Sequence, residues 1–358
     1  MSPHPPAVRG RGARSNATGR YESLVREPFD DGWEITDDPP APLRTTVTAE
    51  AARTVITRND SPDVSFDRSI NPYRGCEHGC IYCYARPAHA YMGLSPGIDF
   101  ESRLFFKPNA GALLERELAR TGYAPKVIHV GGNTDPYQPQ EKRLRVTRGV
   151  IETLHRFGHP FSIITKSALI QRDIDLLGPL GRNHLVRPAV SVTSLDRKLS
   201  RVMEPRAATP ERRIETIRAL ADAGAPPVVM FAPVIPGLND HELEAILQRA
   251  AQAGAVGAGY VVLRLPLEIK DLFREWLEDK LPDRASRVMS LVRQMRGGRD
   301  YDPQWGQRMK GEGPIADILA RRFVTAKRRY GLDREVAPLD LTQFKVPPRQ
   351  GDQMELFG

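Results

Sequence analysis

The chain has 358 residues, 40% of them hydrophobic, with 31 prolines, 29 glycines and a formal net charge of +8. This length accommodates one large α/β domain with tails or two ordinary domains. No apolar run approaches a bilayer span and no apolar core follows Met1, which points to a cytoplasmic, non-membrane protein, while the basic excess favours polyanionic partners such as nucleic acid.

Residues 1–51 mix Pro, Gly, Arg and acidic pairs without sustained periodicity and read as an irregular, basic N-terminal extension. Arg9, Arg11, Arg14 and Arg20 precede any carboxylate. Tyr21, Leu24, Phe29 and Trp33 are scattered apolar anchors able to lie across the body of the protein, and Asp37-Asp38-Pro39-Pro40 breaks any continuation.

From Ala52 strands and helices alternate. Val64 to Ile70 leads as a strand into a cysteine-bearing loop, and Tyr82 to Met92 leaves it as a helix. Strands follow at Arg103 to Lys107, Lys126 to Val130, Phe161 to Thr165, Ala189 to Val192, Val228 to Ala232 and Tyr260 to Leu265. Between them lie helices at Ala110 to Arg120, Arg143 to Phe157, Leu169 to Leu177, Pro210 to Ala223 and Asp240 to Ala253. The fourth of these has Pro210 at its start and Gly224 at its stop. Such alternation predicts right-handed βαβ units on a parallel sheet, six of them over residues 52–265, with sites at the C-terminal strand ends. Beyond Pro266 the pattern turns helical at Ile269 to Leu281, Arg284 to Met295 and Ile315 to Tyr330, giving a C-terminal extension over residues 266–337. Its last helix carries Arg321, Arg322, Lys327, Arg328 and Arg329, either a solvated face or a phosphate-binding one. Residues 338–358 read as a flexible tail.

The three cysteines are the only ones in the chain, and all lie in Asn71-Pro72-Tyr73-Arg74-Gly75-Cys76-Glu77-His78-Gly79-Cys80-Ile81-Tyr82-Cys83-Tyr84. The spacing C-x3-C-x2-C brings three thiolates to one centre and leaves one coordination position without a cysteine, which suits an iron-sulfur cluster with one open iron. A structural zinc site needs a fourth ligand and would have to recruit His78 or His89. A disulfide framework would leave one thiol over and wants a secreted context.

With Tyr82 just before the last cysteine, the loop resembles the signature of the radical S-adenosylmethionine (SAM) enzymes. The resemblance implies a [4Fe-4S] cluster on Cys76, Cys80 and Cys83, with the amino and carboxylate groups of SAM on its fourth iron. It further implies reductive cleavage of SAM to a 5'-deoxyadenosyl radical, an electron donor such as flavodoxin or ferredoxin, and a partial (β/α)6 TIM-like barrel. Carried onto this sequence, the segment Gly131, Gly132, Asn133, Thr134 and Asp135 takes the SAM amino group. The family's glutamate after the glycines is missing, with Asp135 or Glu141 as substitutes. Lys166 takes the SAM carboxylate, and Ser191, Thr193 and Ser194 the ribose, with Asp196 starting a helix. Val234 and Ile235, in the segment Pro233 to Asp240, pack on adenine, and Asn239 or Asp240 caps the following helix.

The N-P-Y-x-G-C start, T-D-P-Y-Q-P from Thr134, T-K-S from Thr165 and M-E-P-R from Met203 resemble the spore photoproduct lyase-like, or DNA repair photolyase-like, subgroup. That lyase uses a further cysteine as hydrogen donor, which this chain lacks, leaving Tyr84 and Tyr137 as candidates. Gln353, Leu356 and Phe357 match the Q-x-x-L-F pattern of peptides that dock on the bacterial sliding clamp. The sequence thus reads as a radical SAM enzyme acting on nucleic acid, on a modified or damaged base. The alternatives are a radical SAM enzyme modifying RNA or protein, and a non-enzymatic iron-sulfur or zinc protein that binds DNA.

Overall fold

The computed structural model describes residues 10–22 and 43–348. Strands form where β-branched and aromatic residues alternate with smaller ones: in Phe161–Thr165 the side chains of Phe161, Ile163 and Thr165 are buried and those between them less so. The strands in chain order are β1 (Thr46–Ala49), β2 (Ile56–Arg58), β3 (Arg68–Ile70), β4 (Tyr73–Arg74), β5 (Arg103–Phe106), β6 (Ile128–Val130), β7 (Phe161–Thr165), β8 (Val186–Ser191), β9 (Val228–Val234) and β10 (Gly257–Val262). The main sheet runs β10-β9-β8-β7-β6-β3-β2. Six of these strands are parallel, with registers such as Arg68↔Ile128, Ile128↔Phe161, Phe161↔Val186, Ala189↔Val228 and Val228↔Gly257. β2 pairs antiparallel to β3 at one edge. This is the partial six-unit α/β barrel that the alternation predicts, and its sheet stays open between β10 and β2.

Helices form with ordinary signals. Thr209 caps Pro210–Asp222 by accepting from Arg212 N, Pro210 opens that helix, and Gly224 follows it at φ +90°. The helices pack their apolar stripes on the outer face of the sheet, where Leu114, Val150, Leu154, Leu220 and Leu247 join Ile163 and Phe231 in one core. A second core lies over the C-terminal strand ends. It joins Ile81 and Tyr82 of the cysteine loop to Ile235, Leu263, Phe273 and Trp276, so the helices Ile269–Lys280 and Pro282–Gln294 are built into the same layer as the loop.

Four expectations need correction. The predicted strand at 103–107 is not a barrel strand: β5 pairs with β1 and β4 in a separate three-stranded sheet. The segment 82–92 is helical only over Arg86–Met92, as a 3-10 helix, because Tyr82 and Cys83 belong to the loop. The N-terminal extension lacks helix and strand over residues 10–22, as expected, but it is neither irregular throughout nor detached. β1 falls within it, and residues 10–22 form a strap bonded to the cysteine loop region, with Arg11 donating to Glu101 O at 2.6 Å and Arg20 paired with Glu268 at 2.6 Å. The tail is likewise tied down over 338–348. Phe344 packs on Phe157 and His159, Lys345 N donates to Phe157 O at 3.0 Å, and Asp340 N to His184 O at 2.9 Å. Leu24, Phe29, Trp33, Gln353, Leu356 and Phe357 lie outside the described residues. Among the described residues no helix is long and apolar enough to cross a membrane.

Candidate active site

The cysteine loop leaves β3 at the C-terminal edge of the sheet. Gly75 and Gly79 give it its path: both have positive φ, +72° and +69°, and a Cβ at Gly75 would meet Phe100 O and Leu104 Cδ2 at 2.8 Å. The backbone is then pinned from outside. Cys76 N donates to Phe100 O at 3.0 Å, Ile81 N to Met203 O at 3.1 Å, and Arg206 N to His78 O at 3.2 Å.

Buried ions complete the support. Arg86, fully buried, donates to Cys80 O at 2.9 Å, Gly97 O at 2.9 Å and Gly79 O at 3.2 Å, and pairs with Glu101 at 2.5 Å. Glu101 also accepts from Gly12 N and Ala13 N of the strap, at 2.9 and 2.8 Å. On the other flank Glu204 accepts from Tyr82, from Arg213, and from Thr193 Oγ1 at 2.8 Å. Glu77 accepts from Arg206 and Thr45 at 2.5 Å and from Gln140 at 3.0 Å, while Gln138 takes the Glu77 N–H at 2.9 Å. The M-E-P-R and T-D-P-Y-Q-P segments are thus clamps on the cysteine loop, a role that sequence reasoning missed.

Cys76 and Cys80 are buried and Cys83 half-buried. Burial pushes all three thiols up, and Cys76 and Cys80 are raised further by neighbouring cysteines. The neighbouring Lys166 opposes this at Cys80 and Cys83. The donor set fits a cluster and not a closed zinc site. His78 Nδ1 lies 3.3 Å from Asp135, and His89 Nε2 is bonded to Arg103 O at 2.9 Å. Three sulfurs without a fourth protein ligand are what an iron-sulfur cluster with an open iron requires.

The mouth of the site is lined by partly exposed groups: Cys83, Tyr84, Gly132, Asn133, Lys166 and Arg264. Tyr84 donates to Gly132 O and is capped by the Arg264 guanidinium, 5.3 Å from its ring centroid. Its phenol, half-exposed and of a type that titrates at about pH 10, stays protonated at neutral pH. Lys166 Nζ lies 5.7 Å from the Tyr82 ring centroid and has no carboxylate within ion-pair distance among the described residues.

Several expected ligand residues are already committed to the protein. Asp135 accepts from Thr165 Oγ1 at 2.6 Å, Tyr137 N at 2.9 Å and Lys166 N at 2.8 Å. Burial alone would raise its pKa, but His78, Thr165 and Lys166 N together hold it down at about 2. Asp135 therefore braces three strand-end loops and has no free lone pair directed at an ammonium. Glu141, fully buried, accepts from Tyr73, from Thr147 N at 2.9 Å and from Arg172 at 2.8 Å. Tyr137 lies in the main core with its hydroxyl on Asp173 at 3.0 Å, which removes it as a hydrogen donor. Thr134 Oγ1 reaches Tyr73 O at 3.4 Å, and Asn133 N is held by Asn71 at 2.7 Å. Thr193 is spent on Glu204, and Ser194 donates to Glu242 at 2.7 Å. Ser191 is buried beneath them, its carbonyl accepting from Arg213 at 3.2 Å. Val234 and Ile235 are fully covered, so they back the pocket and present no face to a purine. Asp196 does start its helix, accepting from Lys198 N at 2.7 Å. Asn239 instead bridges Ile235 N at 2.6 Å and Thr193 O at 2.7 Å, and Asp240 closes onto Gly237 N at 2.7 Å.

Comparison with known proteins agrees with this geometry. The model of the Radical SAM superfamily matches residues 70–250, which covers the cysteine loop, the parallel strands β6 to β9 and most of the helix after β9. The uncharacterized protein Rv2578c of Mycobacterium tuberculosis is 38% identical over 284 residues, 79% of this chain and 80% of its own. The uncharacterized protein MJ0683 of Methanocaldococcus jannaschii is 27% identical over 173 residues, 48% of this chain and 62% of its own. Among solved structures, spore photoproduct lyase complexed with dinucleoside spore photoproduct shares the fold with a TM-score of 0.54 at 15% identity, over 79% of each chain. A variant of that lyase with bound AdoMet and the dinucleoside has a TM-score of 0.50 at 16% identity, over 79% of this chain and 77% of that one. A match over half the chain, together with close sequence kinship across four-fifths of it, settles the assignment: the chain belongs to the radical SAM superfamily, whose enzymes use a [4Fe-4S] cluster and SAM.

Proposed function

We propose that this radical SAM enzyme acts on nucleic acid, abstracting hydrogen from a damaged or modified nucleotide. The likeness to spore photoproduct lyase, a structure that holds a dinucleoside lesion, over about four-fifths of both chains carries this reading, and the net charge of +8 supports it. The bound cluster and SAM would supply the radical; binding and orientation are the work of this chain's side chains and backbone. Cys76, Cys80 and Cys83 hold the cluster. Lys166, with no carboxylate at ion-pair distance among the described residues, is the partner for the SAM carboxylate, and the backbone of Gly131 to Thr134 takes the amino group. Ser191, Val234 and Ile235 act from beneath, shaping the adenosine end. Tyr84, protonated and at the mouth beside Cys83, takes the hydrogen-donor role that the missing fourth cysteine leaves open. A flavodoxin or ferredoxin supplies the electron, and the compartment is the cytoplasm. The Q-x-x-L-F tail would bring the enzyme to DNA through a sliding clamp.

The test is deuterium transfer into 5'-deoxyadenosine from uniformly labelled DNA, RNA or peptide pools, run anaerobically with the reconstituted enzyme. Label arriving from DNA is the expected result. Label arriving from peptide, with none from either nucleic acid, overturns the reading.

A further inference from the structure

The stretch that joins the helices Pro282–Gln294 and Gly313–Arg329 crosses the open side of the sheet. On the β10 side, Val262 N donates to Met309 O at 2.9 Å, and the buried Arg296 donates to Leu263 O at 2.8 Å and Gln307 O at 2.9 Å. On the β2 side, Gly306 N donates to Asp63 at 2.6 Å, and Arg308 bonds Asp63 and Ser61 Oγ, the latter at 2.7 Å. Because β10 and β2 are the two edges of the sheet, this stretch links one edge to the other and presents its outer turn beside the mouth of the site.

Trp305 lies on that turn and is 48% exposed. Its ring is fixed by Arg308, whose guanidinium lies 5.3 Å from the centroid while bonded to Asp63. Asp63 is also within electrostatic reach of Arg264. Arg264 stands just past the end of β10, between Tyr84 and Met309: its guanidinium covers the Tyr84 ring, NH1 touches Met309 Sδ at 3.5 Å, and its buried Nε has no partner. No carboxylate pairs with it among the described residues. An exposed indole backed by an arginine leaves one ring face open for stacking, and a half-buried guanidinium with no ion pair among the described residues keeps donors free for an anion. Each is met by one part of the same ligand, a planar base for the indole and a phosphate for the guanidinium.

We propose that Trp305 and Arg264 form a nucleotide-receiving rim, in which Trp305 stacks on an unpaired base and Arg264 binds an adjoining phosphate. The assignment rests on the nucleic-acid reading above and extends it to the form of the substrate. Within a duplex both faces of a base are stacked on its neighbours, so Trp305 can act only on a single strand or on a nucleotide turned out of the helix. Arg308 and Asp63 are positioning residues that orient the indole.

The experiment is fluorescence anisotropy of a labelled, mixed-sequence single-stranded oligodeoxynucleotide and of its duplex, titrated anaerobically with the full-length reconstituted protein. Tryptophan fluorescence is recorded in parallel with unlabelled strand. Single strand is expected to bind the more tightly. Trp305→Ala should weaken it by roughly 5- to 150-fold, as stacking free energies imply. Arg264→Gln should also weaken it and lower the slope of log affinity against log salt by about 1. Saturating strand should quench the wild-type indole emission and leave that of Trp305→Ala unchanged, which separates Trp305 from Trp33; Trp276 is fully buried and will not respond to stacking. Variants that bind like the wild type, unquenched emission at saturation, or preference for duplex would each overturn the rim while leaving nucleic-acid binding intact. A wild-type protein that binds neither oligonucleotide overturns both.

Discussion

At the scale of residues, the site depends less on its three sulfurs than on the buried ions that shape their loop. Glu204 gathers Tyr82, Thr193 and Arg213 in a place with no exposure to water. Burial raises its pKa, and Arg213 counters this. Removing the cation strands the carboxylate, so Arg213→Ala is expected to cost about 3–5 kcal/mol of stability. Chemical denaturation of the apo protein measures it, and a loss under about 1 kcal/mol would show the pair to be dispensable. The ligand cysteines were plain in the sequence because their spacing is local. The bracing role of Asp135 was not, since its partners come from two other segments, His78 from the cysteine loop and Thr165 and Lys166 from the end of β7. For the same reason Tyr137 looked available beside Asp135 and proves to be core.

At the scale of elements, the parallel strands were readable where alternation and helix punctuation agree, as at Phe161–Thr165 and Pro210–Asp222. β1 and β5 were misread because their pairing joins segments more than fifty residues apart, which no local pattern records. The strap at residues 10–22 was hidden for a related reason: its arginines look like a solvated basic arm, yet Arg11 and Arg14 find buried or acidic partners. Gly12 lies against Gly79, where a Cβ would meet the carbonyl oxygen at 1.8 Å. Gly12→Ala should therefore detach the strap, seen as faster proteolysis near the N-terminus and faster bleaching of the cluster by oxygen; unchanged rates of both would mean that the strap does not shield the loop. On the opposite end of the barrel, the fully buried His159 contacts Tyr123, and Phe344 of the tail covers it. Burial lowers its pKa to about 4, against roughly 6.5 in the unfolded chain. The unfolded state then binds the extra proton between these values, so this stability is complete above about pH 6.5 and is lost as pH falls toward 4, at about 1.4 kcal/mol per pH unit. His159→Gln should remove that increment from the slope of denaturation free energy against pH, and an unchanged slope would place the titration elsewhere.

At the scale of the whole molecule, the chain divides less cleanly than its sequence suggests. The helical region after β10 shares a core with the cysteine loop through Ile81, Tyr82, Phe273 and Trp276, and its connecting stretch ties the two edges of the open sheet together. Fold class and the count of parallel units were legible because hydrophobic period and loop punctuation repeat along the chain. The union of cap and barrel was not, because it depends on contacts between residues such as Asp63 and Arg308, whose separation leaves no trace in periodicity. The central proposal is that Cys76, Cys80 and Cys83 hold the cluster and leave one iron open for SAM. Electron paramagnetic resonance of the reduced, reconstituted protein before and after SAM addition, with 5'-deoxyadenosine measured in the same samples, tests it most directly. The account predicts a changed cluster spectrum and 5'-deoxyadenosine, both lost in Cys76→Ala, Cys80→Ala and Cys83→Ala. An intact cluster whose spectrum SAM leaves unaltered, with no 5'-deoxyadenosine formed, would contradict it.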